Sequence, residues 1–236
     1  MCNYSFSPSW RMIILTVLVM SLFIRLGYWQ LHRADEKRQL LSAYQRASKQ
    51  VPQRLLRIPL PKQYQRVYLE GHYLPIILLL DNQHHDHQYG YEVLSPMVLE
   101  NGDSVIVDRG WVKGDPSRQH WPVLTTPIHK IKLSGQIYYP PGKSWLLGSG
   151  FEVKRGDLAI IETLDIAMMR QFLHKSLYPF IIRQSPDSPG GYVCDWPIVA
   201  STPERHMGYA IQWFLFACIA GILWVILNVK KKYETT

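Results

Sequence analysis

The chain has 236 residues, enough for one ordinary domain with accessory segments, and a formal net charge of +8. A basic balance admits nucleic acid or an anionic membrane surface as partner. No nucleic-acid motif is present, and the one dense basic block is "KKK" at 230–232, so nucleic acid drops out. Hydrophobic residues make up 47% of the chain and are unevenly spread, which sets it apart from a uniform soluble protein.

The first apolar stretch is "MIILTVLVMSLFI", residues 12–24. It extends through "LGYWQL" to Leu31 if Arg25 snorkels toward the headgroups. Arg11 precedes it, as in a signal peptide, but no small-x-small cleavage site follows, so it reads as an uncleaved anchor. Residues 32–50 hold strong helix formers and no Gly or Pro, so they continue the helix out of the membrane. Pro52, Pro59 and Pro61 mark a linker.

Strand-like runs follow at 66–74, 76–82, 91–99 and 104–112, with a hairpin signal at Asn101-Gly102 between the last two. The stretch "NQHHDHQYG" (82–90) is rich in histidine; as a strand it would place His85 and His87 on one face, and His84 beside them. That set could bind copper or zinc, or could be a polar hairpin tip. Further strands are read at 129–139, 158–164, 178–185 and 191–198. One soluble helix, 165–177, has Asp165 as its cap and Ile166, Met169 and Leu173 on one face.

The second apolar stretch, "GYAIQWFLFACIAGILWVILNV" (208–229), is long enough to cross a bilayer. "KKK" just beyond it marks the cytoplasmic side. The expected organisation is a cytoplasmic N-terminus (1–11), a span (12–31), an exterior β-rich domain (32–205), a second span (206–229) and a cytoplasmic C-terminus (230–236). The exterior domain is expected to be α+β, an antiparallel barrel or sandwich. Ala217 and Gly221 form a small-xxx-small pair that would let the spans pack closely.

Catalytic signatures are missing: no Walker loop, GxGxxG, GxSxG or HExxH occurs, and Ser144, Ser149 and the histidines show no triad spacing. Of three cysteines, Cys2 would be cytoplasmic, Cys218 lies in a span, and only Cys194 faces the exterior, so no exterior disulfide is expected. The chain therefore reads as no enzyme. His206 opens the second span, with Tyr209, Ala210 and Trp213 at i+3, i+4 and i+7 on one helical face. A neutral imidazole beside aromatics can ligate haem iron. It can equally be a solvated interfacial residue above an aromatic belt. Arg25 and Arg33 could meet haem propionates or be plain interfacial charges.

Four stretches in order resemble the Surfeit locus protein family (that of its first member), factors in cytochrome c oxidase assembly. They are "LGYWQLHRADEK" (26–37), "GYEVLSPMVLENGDSVIVDRGWV" (90–112), "LSGQIYYP" (133–140) and "HMGYAIQWF" (206–214). The resemblance covers nearly the whole chain. It implies a membrane chaperone that assists haem a insertion into the catalytic subunit of a haem–copper oxidase, with transient haem a binding. It implies His206 as the iron ligand; beside it, the helical face read above would let Tyr209 and Trp213 line the macrocycle and Arg25 or Arg33 meet propionates. The implied partners are the oxidase catalytic subunit, haem a synthase and the lipid bilayer. A scaffold that holds assembly intermediates without haem is the alternative. The implied location is a bacterial inner membrane with the main domain periplasmic, and the lack of an Arg- and Ser-rich presequence before residue 12 agrees with a bacterium. Within the resemblance, Arg109, Gly110 and Trp111 are expected as fold residues: Arg109 pairing with a carboxylate, Gly110 in a bulge, Trp111 packing. Asp108 departs from the family pattern, where Asn is common.

Overall fold

The computed structural model describes residues 4–141 and 150–231; Cys2, Ser144, Ser149 and Lys232 lie outside the described residues. In chain order the elements are β1 (Tyr4–Phe6), α1 (Trp10–Ser48), β2 (Gln53–Arg54) and a 3-10 turn (Leu55–Arg57). Then come β3 (Arg66–Tyr73), β4 (Ile77–His85), β5 (Gln88–Leu99), β6 (Ser104–Lys113), β7 (Ile131–Tyr138), β8 (Phe151–Arg155) and β9 (Leu158–Ile161). The chain continues through α2 (Ile166–Leu173), β10 (Leu177–Gln184), α3 (Pro203–Asn228) and β11 (Val229–Lys231). Two compact units result: one holds residues 1–43 with 198–236, the other residues 44–197.

In the first unit α1 and α3 are each long and apolar enough to cross a membrane. The 39-residue α1 is continuous, because nothing between residues 10 and 48 breaks a helix. It leaves the apolar stretch without interruption, so the helix pair keeps residues 32–43 and the β unit starts at Tyr44. Helix α3 begins three residues before His206, at Pro203, whose missing N–H is no loss at the first helical position. Thr202 caps it and accepts from Arg205 N–H at 3.4 Å. Beyond the other end, β1 and β11 pair antiparallel, Tyr4 against Lys231.

The second unit is one mixed sheet closed on itself. Its order is β2-β3-β7-β10-β6-β5-β4-β9-β8, and β3 also pairs with β5. That pairing rings β3, β7, β10, β6 and β5 into a small barrel, while β4, β9 and β8 extend from β5 as a flap. The expectation of an antiparallel sheet is corrected: β2–β3, β4–β9 and β6–β10 run parallel. Hairpin neighbours must be antiparallel, but β9 and β10 reach their partners through longer connections, which permit either direction.

Three apolar layers follow from the side-chain alternation of the strands. Val67, Leu69, Met97, Val105, Val107, Ile137, Phe180 and Ile182 fill the barrel. On the opposite face Leu78, Leu94, Ile106 and Ile181 meet Met169 and Leu173 of α2. Leu79, Tyr91, Val93 and Ile160 pack beneath Trp121 and Leu124. Strand β6 lies between covered faces, so its first seven residues, Ser104–Gly110, are buried without alternation.

The Asn101-Gly102 hairpin forms, with only Gly102 left-handed (φ 86°). Gly102 N–H donates to Leu99 O at 3.0 Å, and Leu99 N–H to Asp103 O at 2.8 Å. This is a three-residue loop ending in a bulge, and not the two-residue type I′ turn. Type I′ occurs one hairpin earlier, where Asp86 and His87 both have positive φ, 47° and 62°. Helix α2 starts on Asp165, whose carboxylate accepts from Ala167 and Met168 N–H. It stops at Leu173, short of the expected residue 177, because His174 turns left-handed (φ 50°). The expected strand at 191–198 is a single bridge, Val193 to Trp111. Pro197 cannot donate to a ladder, and Trp196 turns back to donate to Gln184 O at 2.9 Å.

Candidate functional site

Helix α1 buries Gly27, Gln30 and Ala34, and α3 buries Ala210 and Ala217. Each set recurs at helical intervals, so both are stripes, and their small side chains let the backbones approach. A β-carbon at position 27 would lie 2.6 Å from the Phe214 ring. At Gly221 the neighbouring group is Met20, 3.5 Å away. At the start of α3 the seam carries a polar contact: His206 Nδ1 and Gln30 Oε1 are 2.8 Å apart. Gln30 is 9% exposed. The other ring nitrogen of His206, Nε2, has no hydrogen-bond partner among the described residues.

The residues expected beside His206 divide into two sets. Ala210 is fully buried in the seam, and Trp213 turns the same way, its ring 5.7 Å from Phe23 of α1 and 5.9 Å from Phe216. Tyr209 points outward, 38% exposed, with the Arg205 guanidinium 6.0 Å from its ring. Arg25 is exposed. Arg33 is engaged on its own helix, 2.7 Å from Glu36 and stacked 5.9 Å from the Trp29 ring. Gln30 stands in the sequence only as part of the Trp29-Gln30 pair of the first family-like stretch, with no site role attached. The available signal was an amide near the end of a long apolar helix, a residue type that seeks a partner in such surroundings.

The His-rich hairpin does not form the expected face. His87 sits in the turn, not on a strand, so it does not share a face with His85. His85 lies on Trp111, ring centroids 5.3 Å apart, with its Nδ1 3.8 Å from Asp195. His84 lies against Tyr89. Among the described residues no three His, Cys, Asp or Glu side chains gather as a metal site.

The "DRGW" segment builds the interior of the β unit. Arg109 and Gly110 together oppose the single residue Val93, a bulge in which Gly110 has φ 108°. A β-carbon there would lie 2.7 Å from Val193 O, so only glycine fits. Trp111 packs over Gly90 and donates Nε1–H to Gln83 O at 3.2 Å. Arg109 does not meet a carboxylate, contrary to expectation. It is 1% exposed and donates to Gly190 O and Thr125 O, both at 2.7 Å, and to Ser95 Oγ at 3.3 Å. Tyr73 and Tyr192 flank its guanidinium at 5.2 and 5.0 Å. The planar fork thereby ties the segments around Thr125 and Gly190, which join no ladder there, to the β5–β6 pair.

Asp108, fully buried, points to the other face. Its register partner on β10 is Arg183, Gly110 N–H donates to its Oδ1 at 3.3 Å, and its Oδ2 has no hydrogen-bond partner among the described residues. Burial, and then the Glu92 charge, push the Asp108 carboxyl well above its usual range. Burial also raises Glu92, against the attraction of Arg183. Arg183 stacks 3.7 Å from the Tyr138 ring and 5.2 Å from Trp196. Burial pushes the Cys194 thiol up to about 11, so it stays protonated and is no redox nucleophile near neutral pH.

The SURF1 family model matches residues 17–218. A SURF1-like protein of Rickettsia bellii is 31% identical over 228 residues, covering 92% of this chain and 90% of its own. A SURF1-like protein of Mycobacterium tuberculosis is 26% identical over 231 residues, covering 91% and 82%. One of Rickettsia felis is 24% identical over 230 residues, covering 90% and 95%.

Proposed function

This chain is a member of the SURF1 family of oxidase assembly factors, and from that premise we propose that it receives haem a and assists its insertion into the catalytic subunit of a haem–copper oxidase. The observation that carries the reading is His206: a half-buried imidazole at the mouth of an apolar helix pair, anchored through one ring nitrogen and open at the other. Such a donor fits the iron of a flat, apolar cargo. Haem a, as cargo, supplies the iron that accepts the imidazole lone pair.

The residues of this chain do the rest. Tyr209, exposed beside His206, lines the macrocycle, and Trp213 supports the site from the seam, fixed by Phe23. Arg25, exposed on α1, meets a propionate. Arg33 can do so only by leaving Glu36, so its contribution is smaller. A single histidine ligand suits release, because delivery requires reversible binding. The β unit docks on the oxidase catalytic subunit or on haem a synthase. The helices α1 and α3 cross a bacterial inner membrane, with both termini cytoplasmic and the β unit periplasmic.

A second reading, a scaffold that binds no haem, draws on Trp213, which packs against α1 and does not face outward. The absorption spectrum of the protein, purified from cells that make haem a, separates the two. The carrier gives a haem a band that His206→Ala abolishes. A colourless wild type that still copurifies with oxidase subunits is the scaffold.

A further inference from the structure

We infer that Gln30 is the positioning residue of His206: its side-chain carbonyl holds Nδ1–H and so presents Nε2 as the free electron pair. This rests on the reading of His206 as the haem a ligand and adds a partner from the other helix. The geometry is a 2.8 Å contact from Nδ1 to Oε1. An amide oxygen only accepts, so the ring nitrogen facing it carries the proton. The remaining nitrogen is then unprotonated, as iron requires. Were the amide reversed, its N–H would occupy the Nδ1 lone pair, the proton would move to Nε2, and His206 could not ligate from its open side.

Packing fixes the amide where this contact demands it. Gln30 is buried in the stripe with Gly27 and Ala34, and Phe214 of α3 covers Gly27. The small residues bring α1 within reach of the first turn of α3. A longer side chain at position 27 would push Phe214 away and lengthen the contact. On the Gln30 side the pair is covered, so the amide loses more than a solvated one would if the contact breaks.

The choice of an amide over a carboxylate matters for a carrier. A ligand histidine that donates to a carboxylate gains basicity and holds its metal more tightly. A neutral amide orients the ring without that gain. Gln30 thus gives His206 a fixed tautomer with modest ligand strength, which suits transfer to an acceptor.

The test uses the full chain in detergent, with 15N-labelled histidine, at about pH 8, where a free imidazole is neutral. Long-range proton–nitrogen correlations report the tautomer of each histidine in the haem-free protein, and His206→Ala identifies the His206 signals. Wild type should show the proton on Nδ1. Gln30→Met, of similar length and apolar, should lose that preference; Gln30→Glu should keep it. In haem a titrations Gln30→Met should bind about tenfold more weakly, and Gln30→Glu at least as tightly as wild type. A wild-type proton on Nε2, or a tautomer unchanged in Gln30→Met, overturns the inference. If the tautomers follow the prediction while wild type takes up no haem a, Gln30 still positions His206 and the carrier reading falls.

Discussion

Asp108 and Glu92 place two carboxyl groups on one face of a sheet, with Arg183 beside them. One cation offsets one negative charge, so burial and the Glu92 charge favour a proton on the Asp108 carboxyl. The native state therefore binds that proton more tightly than the unfolded chain, where Asp108 has its ordinary value of 3.8. The stability it contributes is complete below that value and is lost as pH rises toward the raised native value. Asp108→Asn fixes the neutral, hydrogen-bonding form at every pH. Its stability should match wild type near pH 4 and exceed it increasingly toward neutrality, by about 1–3 kcal/mol. Thermal melts across that range check this; parallel curves would remove the protonated Asp108. Asp108 stood out in the sequence as a departure from the family pattern. Its partners did not, because Glu92 and Arg183 lie 16 and 75 residues away along the chain and meet only through strand register. The same limit explains Arg109. Its residue type suggested a carboxylate, but the acceptors nearest it are backbone carbonyls, which carry no sequence signature.

At the level of elements, what is encoded locally could be read and what is decided by distant contacts could not. Asp165 caps α2 through two N–H groups at 2.8 and 3.1 Å, a local arrangement visible as Asp before an apolar-periodic run. Asp165→Ala should cost about 1 kcal/mol, seen as a lower urea midpoint with an unchanged slope. An unchanged midpoint would mean that Met169 and Leu173 alone hold the helix to the sheet. The early end of α2 at His174 was hidden, because its left-handed turn comes without a glycine. The His-rich hairpin misled for a related reason: Asp86 and His87 supply the type I′ turn in place of the usual Asn-Gly, which takes His87 off the strand. His206 was legible as the polar opening of an apolar helix. Gln30 was not, since pairing it with His206 requires knowing that α1 and α3 pack, and in which register.

At the scale of the whole molecule, two long apolar helices and a β-rich domain between them were readable from the spread of apolar residues, but closure of the sheet was not. The β3–β5 pairing joins Gly71 to Leu99 and Tyr73 to Met97, on strands separated by the whole β4 hairpin arm. That closure joins β3 to β5, the two ends of the five-stranded ring, and gives residues 44–197 a core of their own. Every partner of Arg109, Asp108 and Trp111 described above also falls within 44–197. A fragment of those residues should therefore fold without α3 and the apolar part of α1, and unfold in one cooperative transition when melted. The two functional readings then predict different things of it. The fragment lacks His206 and Gln30, so as part of a carrier it takes up no haem a, whatever it docks on. As the body of a scaffold it should retain most of the full chain's capture of oxidase subunits. A fragment that melts without cooperativity would show instead that the β unit depends on its flanking helices for stability, and that the two units fold as one.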